Sequence, residues 1–545
     1  MQFSYPIRAK SVLYRRVTYR NKHGRSTLPL RSISGEICPK TIDFSRYKFL
    51  YLEKCVKIQS ISPVMDQIEL VGRTKEIATL DRLLASQLPE FLVLYGRRRV
   101  GKTYLIRQHL KKHIVMDFTG AFEASMAAQL SNFHYRYIEV TKGKGDASPP
   151  NDWFVAFQRL ATYLLSLDNR KRKLVVFIDE LPWLDTPRSR FVSALEYFWN
   201  QYGSNMNNLL LVTCGSAASW IHKKLLKAKG GLYNRVTRRI HLKQFTLSET
   251  ELYCKKKKLK LTRYQIIQLY MVMGGIPFYL RELSQGKSVV QLIDQICFHP
   301  TGLLSDEYNQ LYHSLFKNAD DHIAIIEALA TQSYGMTRAQ LVKKCKLPDG
   351  GTFSRALTNL EDSGFVSSYS PFGKSKKGTI YRLIDFYTLF YLNYIKGNVT
   401  KRPNTWQSLS SGGSYLAWSG YAYENICMVH IDQIIHALGI GGMYVDISSW
   451  SYKGADGIPG AQVDLIINRS DDIIHLCEAK FTKEEFVITK DYIKKLRHKR
   501  LAFAHATKTK KAIVTTLLTT YPALQNQYYL EEVHTEVTME DILYS

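Results

Sequence analysis

Thirteen residues, Phe91-Leu-Val-Leu-Tyr-Gly-Arg-Arg-Arg-Val-Gly-Lys-Thr103, constrain this 545-residue chain more than any other stretch. Residues 91–95 are apolar and of strand length. Gly96 to Thr103 follow Gly-x-x-x-x-Gly-Lys-Thr, with Arg97, Arg98, Arg99 and Val100 between the glycines. Thr103 to Lys112 then place Leu105, Ile106 and Leu110 on one helical face. Strand, glycine loop and helix in that order are the context in which this spacing wraps a phosphate. Gly96 and Gly101 let backbone N–H groups turn inward, and the helix N-terminus adds positive potential. Lys102 is placed to reach the β- and γ-phosphates and Thr103 to ligate Mg²⁺. The expectation is an α/β domain that holds ATP and Mg²⁺.

A second apolar run, Lys173-Leu-Val-Val-Phe-Ile-Asp179-Glu180, ends in two acids about 80 residues later. Ligand chemistry collects at the carboxyl ends of parallel strands. Asp179 is therefore expected to hold Mg²⁺, and Glu180 to orient or deprotonate the attacking water. Residues 207–216 (NNLLLVTCGS) read as a third buried strand. Thr213 or Ser216 at its end is placed to meet the γ-phosphate or lytic water, and Ser216 is equally placed to cap the next helix, the two roles being compatible.

In this order the pieces resemble an AAA+-type ATPase of the signal-transduction (STAND-like) branch, in the group of archaeal-type ATPases also widespread in bacteria. The matching residues are Val71-Gly72-Arg73-Thr-Lys-Glu76, the phosphate loop, Ile178-Asp-Glu180, Cys214-Gly-Ser216, Leu232-Tyr-Asn-Arg235 and Gly274-Gly-Ile-Pro277-Phe-Tyr279. The resemblance implies that the first of these lies over the adenine with the Gly-x-Pro turn beside it, so Gly72, Arg73 and Pro277 join the nucleotide-binding residues. Asn234 stands where the family often has Gly. Arg235 is either an arginine finger, worth about 10³–10⁵ in turnover, or one more member of a basic face.

The net charge is +28, from 75 Lys+Arg against 47 Asp+Glu. A chain this basic favours a polyanionic partner, nucleic acid or an anionic membrane. No stretch approaches the ~18 consecutive apolar residues of a membrane-spanning helix. The eight cysteines are scattered with no CxxC pair, which suits a reducing, cytoplasmic setting and neither a disulfide framework nor a zinc site. His109 and His113 have metal-ligand spacing, but Leu110 stands where a catalytic Glu would, so they read as two surface histidines.

The charge is uneven. Residues 1–64 carry 13 basic and 3 acidic side chains. That extension reads as a targeting peptide, a disordered arm, or translation from upstream of Met65. Residues 221–263 carry 14 basic side chains against Glu249 and Glu251, and are the expected grip on nucleic acid, DNA in the first instance. A homo-oligomer or a protein partner stays open.

Beyond an ATPase domain with its lid (65–300), residues 301–395 read as a helical connector followed by three helices and a hairpin around a basic turn. That is a winged-helix pattern, in which Ser354, Arg355, Thr358, Asn359, Lys374, Lys376 and Lys377 would face DNA. Residues 396–414 are polar with Gly, Ser and Pro, and read as a linker.

Residues 415–545 resemble the PD-(D/E)XK restriction-nuclease-like domain that often closes this ATPase family. The quoted pieces are Gly420-Tyr-Ala-Tyr-Glu424 on a helix, Val463-Asp464-Leu-Ile-Ile on one strand and His475-Leu-Cys-Glu478-Ala-Lys480 on the next. Asp464 and Glu478 would converge on one Mg²⁺ with Glu424 completing the set. Lys480 falls on the same strand face as Glu478, where it would position water or stabilise transition-state charge. The domain itself nets −3, from 13 basic and 16 acidic residues. The architecture expected overall is therefore α/β and multidomain. Its leading functional reading is an ATPase coupled to a DNA-acting nuclease-like domain, and its alternative is a nucleotide-gated switch whose last domain binds without cutting.

Overall fold

The computed structural model describes residues 70–544, apart from 168–171, 227–231, 233, 317, 374–377, 399–403 and 456. The basic extension 1–64, Lys227, Lys229 and the turn lysines Lys374, Lys376 and Lys377 lie outside the described residues.

The first layer is a parallel sheet of β1 (Glu90–Tyr95), β2 (Ile114–Thr119), β3 (Leu174–Asp179), β4 (Leu209–Gly215) and β5 (Arg238–His241), in the order β2-β3-β4-β1-β5. β3 and β4 are buried at every residue. This is why they read as unbroken apolar runs: helices cover both faces of a parallel sheet. β5 is an edge strand, and its Arg238 and Arg239 are exposed. The register pairs Ile178 with Thr213 and Tyr95 with Gly215. Gly96, Asp179 and Ser216 therefore emerge side by side at the carboxyl edge. The lid follows as Leu247–Lys256 and Arg263–Met273, each opened by a capping box (Thr246 with Glu249, Thr262 with Gln265).

The middle segment contains helices Ala319–Ala330, Arg338–Cys345 and Gly351–Asp362, and a small sheet of β6 (Met336–Thr337), β7 (Val366–Tyr369) and β8 (Ile380–Leu383) in the order β6-β8-β7. Ser354, Arg355 and Thr358 are exposed on the third helix, while Asn359 Nδ2 lies 3.3 Å from His322 Nε2. That helix packs against Ala218–Ile221 of the first layer.

The expected linker is not free chain. Residues Thr405–Leu409 form a helix whose Trp406 is buried against Phe298, Phe390 and Trp418. Asp294 accepts from the Asn404 and Trp406 amides at 2.9 and 2.8 Å. The Trp406 indole, with Leu409 beside it on the core, supplies the apolar contact that seats a largely polar stretch.

The last sheet runs β13-β12-β11-β10-β9, from β9 (Val445–Ala455), β10 (Ile458–Arg469), β11 (Ile473–Lys480), β12 (Ala512–Thr519) and β13 (Val533–Thr538). β9, β10 and β11 pair antiparallel, and β11, β12 and β13 pair parallel. Helix Gly413–Val429 packs on β11 and Lys490–Thr507 on β10. This part is joined to the lid. Tyr264 stacks on Phe481 at 4.8 Å, and Arg263 pairs with Glu540. His430 Nε2 accepts from the Leu247 amide at 3.0 Å, at the start of a lid helix. No helix among the described residues is long and apolar enough to cross a membrane.

Candidate functional sites

The phosphate loop is held open by a residue that can only be glycine. At Gly96, φ is 144°, and an added Cβ would come 2.2 Å from the Leu242 carbonyl oxygen. Lys102 opens the following helix, and its Nζ donates to the Gly96 and Arg97 carbonyls, both at 2.9 Å. Beside it, Thr103 Oγ1 donates to Asp179 Oδ2 at 2.8 Å. Asp179 Oδ1 accepts from the Glu180 amide at 3.0 Å and from Cys214 Sγ at 2.8 Å. A hydroxyl and a carboxylate this close fit a shared Mg²⁺, and Lys102 has only its own loop to release before it meets a phosphate. When bound, Mg²⁺ would supply charge neutralisation between phosphates, held by Thr103 and Asp179.

Glu180 is in the left-handed region, at φ 45°. Ser216 fixes its carboxylate, with the backbone amide and Oγ donating to Oε2 at 3.1 and 2.9 Å. Ser216 thus holds the Glu180 carboxylate and does not cap the next helix, whose N-cap is Ala217 without a side-chain bond. Arg235 is exposed in a turn closed by its amide on the Leu232 carbonyl.

Arg73 ties the first segment to the loop, and Gly72 packs beside it against Glu249. A Cβ on Gly72 would come 2.6 Å from Glu249 Oε1. Arg73 Nη2 donates to the Val100 carbonyl at 3.0 Å, and its guanidinium lies 4.6 Å from the Phe245 ring centroid. Burial pulls its pKa down from the ordinary value, opposed by Glu249. The Phe245 amide donates to Gly275 at 2.9 Å, two residues before Pro277 begins its short helix. The first segment and the Gly-x-Pro turn therefore meet across Phe245.

The three loop arginines face elsewhere. Arg97 forms a buried ion pair with Asp385 and lies over Phe365. Arg98 reaches the Ser314 carbonyl at 3.5 Å. Arg99 pairs with Glu307 and lies over Phe278. Expected among the cofactor-binding residues, they contribute loop backbone, while their side chains clasp the middle segment.

Of the described basic residues in 221–263, some are exposed and others are paired. Arg238, Arg239, Lys255, Lys256 and Lys258 are exposed. Lys255 pairs with Glu251 at 3.0 Å, Lys257 donates to the Arg281 carbonyl at 2.6 Å, and Arg263 joins Glu251 to Glu540. His109 is paired with Asp81, and His113 lies near the Lys173 carbonyl, so the two do not share a ligand.

Residues 70–283 match a family described as an ATPase domain predominantly from Archaea. The chain is a P-loop ATPase. Outside this ATPase domain, which ends before the middle segment, the match does not extend. An uncharacterized protein of Methanocaldococcus jannaschii is 23% identical over 408 residues, which is 74% of this chain and 85% of that protein. Similar solved structures include the Walker-type ATPase of Pyrococcus abyssi, 18% identical at TM-score 0.44, which covers 61% of this chain and 99% of its own. The ORC2 protein of Aeropyrum pernix, solved as ADPNP–ADP complexes, is 15% identical at TM-score 0.39, covering 64% of this chain and 98% of its own.

A second cluster lies outside the ATPase domain. Glu424 from helix Gly413–Val429, Asp464 from β10 and Glu478 from β11 line one cavity of about 20 Å³, room for about one water-sized sphere. Asp464 also lines an open groove of about 490 Å³ walled by Lys494, Lys495, His498 and Lys499. Each carboxylate has a partner. Glu424 accepts from Arg382 at 2.9 Å. Asp464 accepts from Gln462 at 2.6 Å. Glu478 accepts from Lys480 at 2.9 Å, Lys499 at 2.7 Å and Tyr492 at 2.5 Å. Burial and then repulsion from Asp464 push Glu424 up to about 7, with Arg382 opposing. Burial also raises Glu478, but Lys499 and Lys480 outweigh it and hold that carboxyl down at about 2. Among the described residues no three His, Cys, Asp or Glu side chains are gathered as a ready metal cage. Arg382 is a site residue that sequence reasoning did not name; Lys499 belongs to the basic helix Lys490 to Arg500, whose sequence suits a phosphate backbone, but its contact with Glu478 was not foreseen.

Proposed function

We propose that this ATPase is Mg²⁺-dependent and couples its nucleotide state to a nucleic-acid-acting site in residues 415–545. On this reading Lys102, Thr103 and Asp179 hold Mg·ATP, Glu180 drives hydrolysis, and residues 319–383 are a winged-helix module. The last domain is of the PD-(D/E)XK nuclease type, working in the cytoplasm on DNA. The observation that carries the reading is the convergence of Glu424, Asp464 and Glu478 on one cavity, with Lys480 on Glu478 and a lysine-walled groove opening at Asp464. A carboxylate set beside a basic groove suits a divalent ion facing a phosphodiester. The exposed Arg238, Arg239 and Lys255 would add to the grip.

The alternative is a switch whose last domain binds without cutting. It is favoured by the protein's own cations on Glu424 and Glu478. Purified protein incubated with plasmid, ATP and Mg²⁺ or Mn²⁺ separates the two. Nicking that Asp464→Ala abolishes while sparing ATP hydrolysis supports the first reading. Retention of DNA with no cleavage under either metal sinks it in favour of the second.

A further inference from the structure

Four consecutive residues connect the phosphate loop to the carboxylate cavity. Arg382, on β8, is fully buried and donates to Glu424 Oε2 at 2.9 Å, with Tyr421 under its guanidinium at 4.7 Å. The Leu383 carbonyl accepts from Tyr421 Oη at 3.3 Å and from Asn425 Nδ2 at 3.2 Å, on either side of Glu424 along its helix. The Ile384 and Asp385 amides donate to the Phe365 carbonyl at 3.0 and 3.3 Å. Asp385 then pairs with Arg97 in the phosphate loop and caps the next helix through the Thr388 amide at 3.0 Å. The stretch is therefore anchored at every residue, and its two ends sit in the two sites.

Its far end is tied to a part of the loop that phosphate must disturb. Lys102 Nζ rests on the Arg97 carbonyl, and a nucleotide phosphate in the loop would draw that ammonium away. The present arrangement also leaves donors unmet. Nε and Nη2 of Arg97, and Nε and Nη1 of Arg382, are buried without a hydrogen-bond acceptor among the described residues. Buried donors without acceptors cost free energy, so an alternative arrangement that supplies them competes with this one.

We propose that residues 382–385 carry nucleotide state from the phosphate loop to the carboxylate cavity. In this arrangement the Arg382 guanidinium pairs with Glu424 where a divalent cation would otherwise act. Nucleotide in the loop shifts Arg97 and Asp385, and Arg382 moves off Glu424 with them. The cavity's role as a cation site rests on the function proposed above, but the coupling can be measured without it, because linkage is reciprocal.

The test is ADP affinity in the presence of Mg²⁺, measured by calorimetry on the full chain. Weakening the Arg382–Glu424 contact favours the nucleotide-bound arrangement. Glu424→Gln and Arg382→Gln should therefore each tighten ADP binding, by about 5-fold or more on the usual scale of allosteric coupling. Combining Arg382→Gln with Asp385→Asn should give a change that departs from the product of the two single changes. If Arg382→Gln does not fold, Glu424→Gln carries the same expectation, since it leaves Arg382 a neutral acceptor. ADP affinity equal to wild type in a folded Glu424→Gln protein overturns the coupling. A protein that never cleaves nucleic acid but shows these shifts overturns only the nuclease reading.

Discussion

Acidification should loosen the joint between the lid and the last domain through one histidine. His430 is 1% exposed. Its Nδ1 lies 2.9 Å from the Ile426 carbonyl, and its Nε2 faces the Leu247 amide at 3.0 Å. Only the neutral tautomer with the proton on Nδ1 satisfies both, because a proton on Nε2 would point at another N–H. Burial lowers its pKa from 6.5 to about 4, with the Ile426 contact opposing. A histidine whose folded pKa lies below its unfolded value must shed its proton to fold. Its contribution is therefore complete above about pH 6.5 and is lost as pH falls toward 4. At about 1.4 kcal/mol per pH unit, the loss over that interval is about 3 kcal/mol. His430→Gln retains an acceptor for Leu247 but cannot titrate in this range. Urea denaturation of both proteins from pH 4 to pH 8 isolates the effect, since every other titrating group is common to them. Wild type should lose about 3 kcal/mol relative to the variant between pH 6.5 and 4. A stability difference that stays flat across that range would refute the tautomer argument.

Two further outcomes follow from other parts of the molecule. Glu180→Gln should retain ATP binding in a filter or calorimetric assay while turnover falls about 10²–10⁴-fold, the usual worth of a general base; turnover within a few-fold of wild type would assign the water-orienting role elsewhere. Trp406→Ala should cost about 3–5 kcal/mol in denaturant unfolding, as for a large aromatic removed from a packed site, whereas a cost below about 1 kcal/mol would restore residues 396–414 to a free linker.

What the sequence disclosed and what it hid divide along the range of the interactions. The phosphate loop and the Asp179-Glu180 strand end are local patterns, each fixed by neighbours a few residues away, and both hold in the fold. The three helices and hairpin of the middle segment are likewise short-range, as is the Thr337 cap with Gln340. The carboxylate set was legible because strand periodicity puts Glu478 and Lys480 on one face. Its neutralisation was not, since Arg382 and Lys499 come from a different segment and a later helix. A signal for Arg382 did exist: one arginine inside Ile380-Tyr-Arg-Leu383, an otherwise apolar strand, implies a buried acid somewhere. Trp406 was such a signal too, the one aromatic residue in the polar 396–414 run. Counting charge along 221–263 likewise omits Glu540, which reaches Arg263 only through the fold.

The loop arginines show how a consensus motif can carry a second message. The chemistry of phosphate binding constrains the glycines, the lysine and the threonine, and leaves the positions between the glycines open. Three consecutive arginines there look like extra phosphate contacts, yet a loop that needs its backbone N–H groups pointing inward turns its intervening side chains outward. Whatever packs outside the loop then meets three guanidinium groups, and burying them requires acids. Asp385 and Glu307 supply two, both from the middle segment and both buried. Removing Asp385 would leave a buried, uncompensated charge on Arg97, a costly arrangement, and removing Glu307 would leave the half-buried Arg99 unpaired. The middle segment is therefore bound into the nucleotide site by charge as well as by packing, and any movement of the loop on phosphate must be matched by movement of Asp385 and Glu307 or resisted by them.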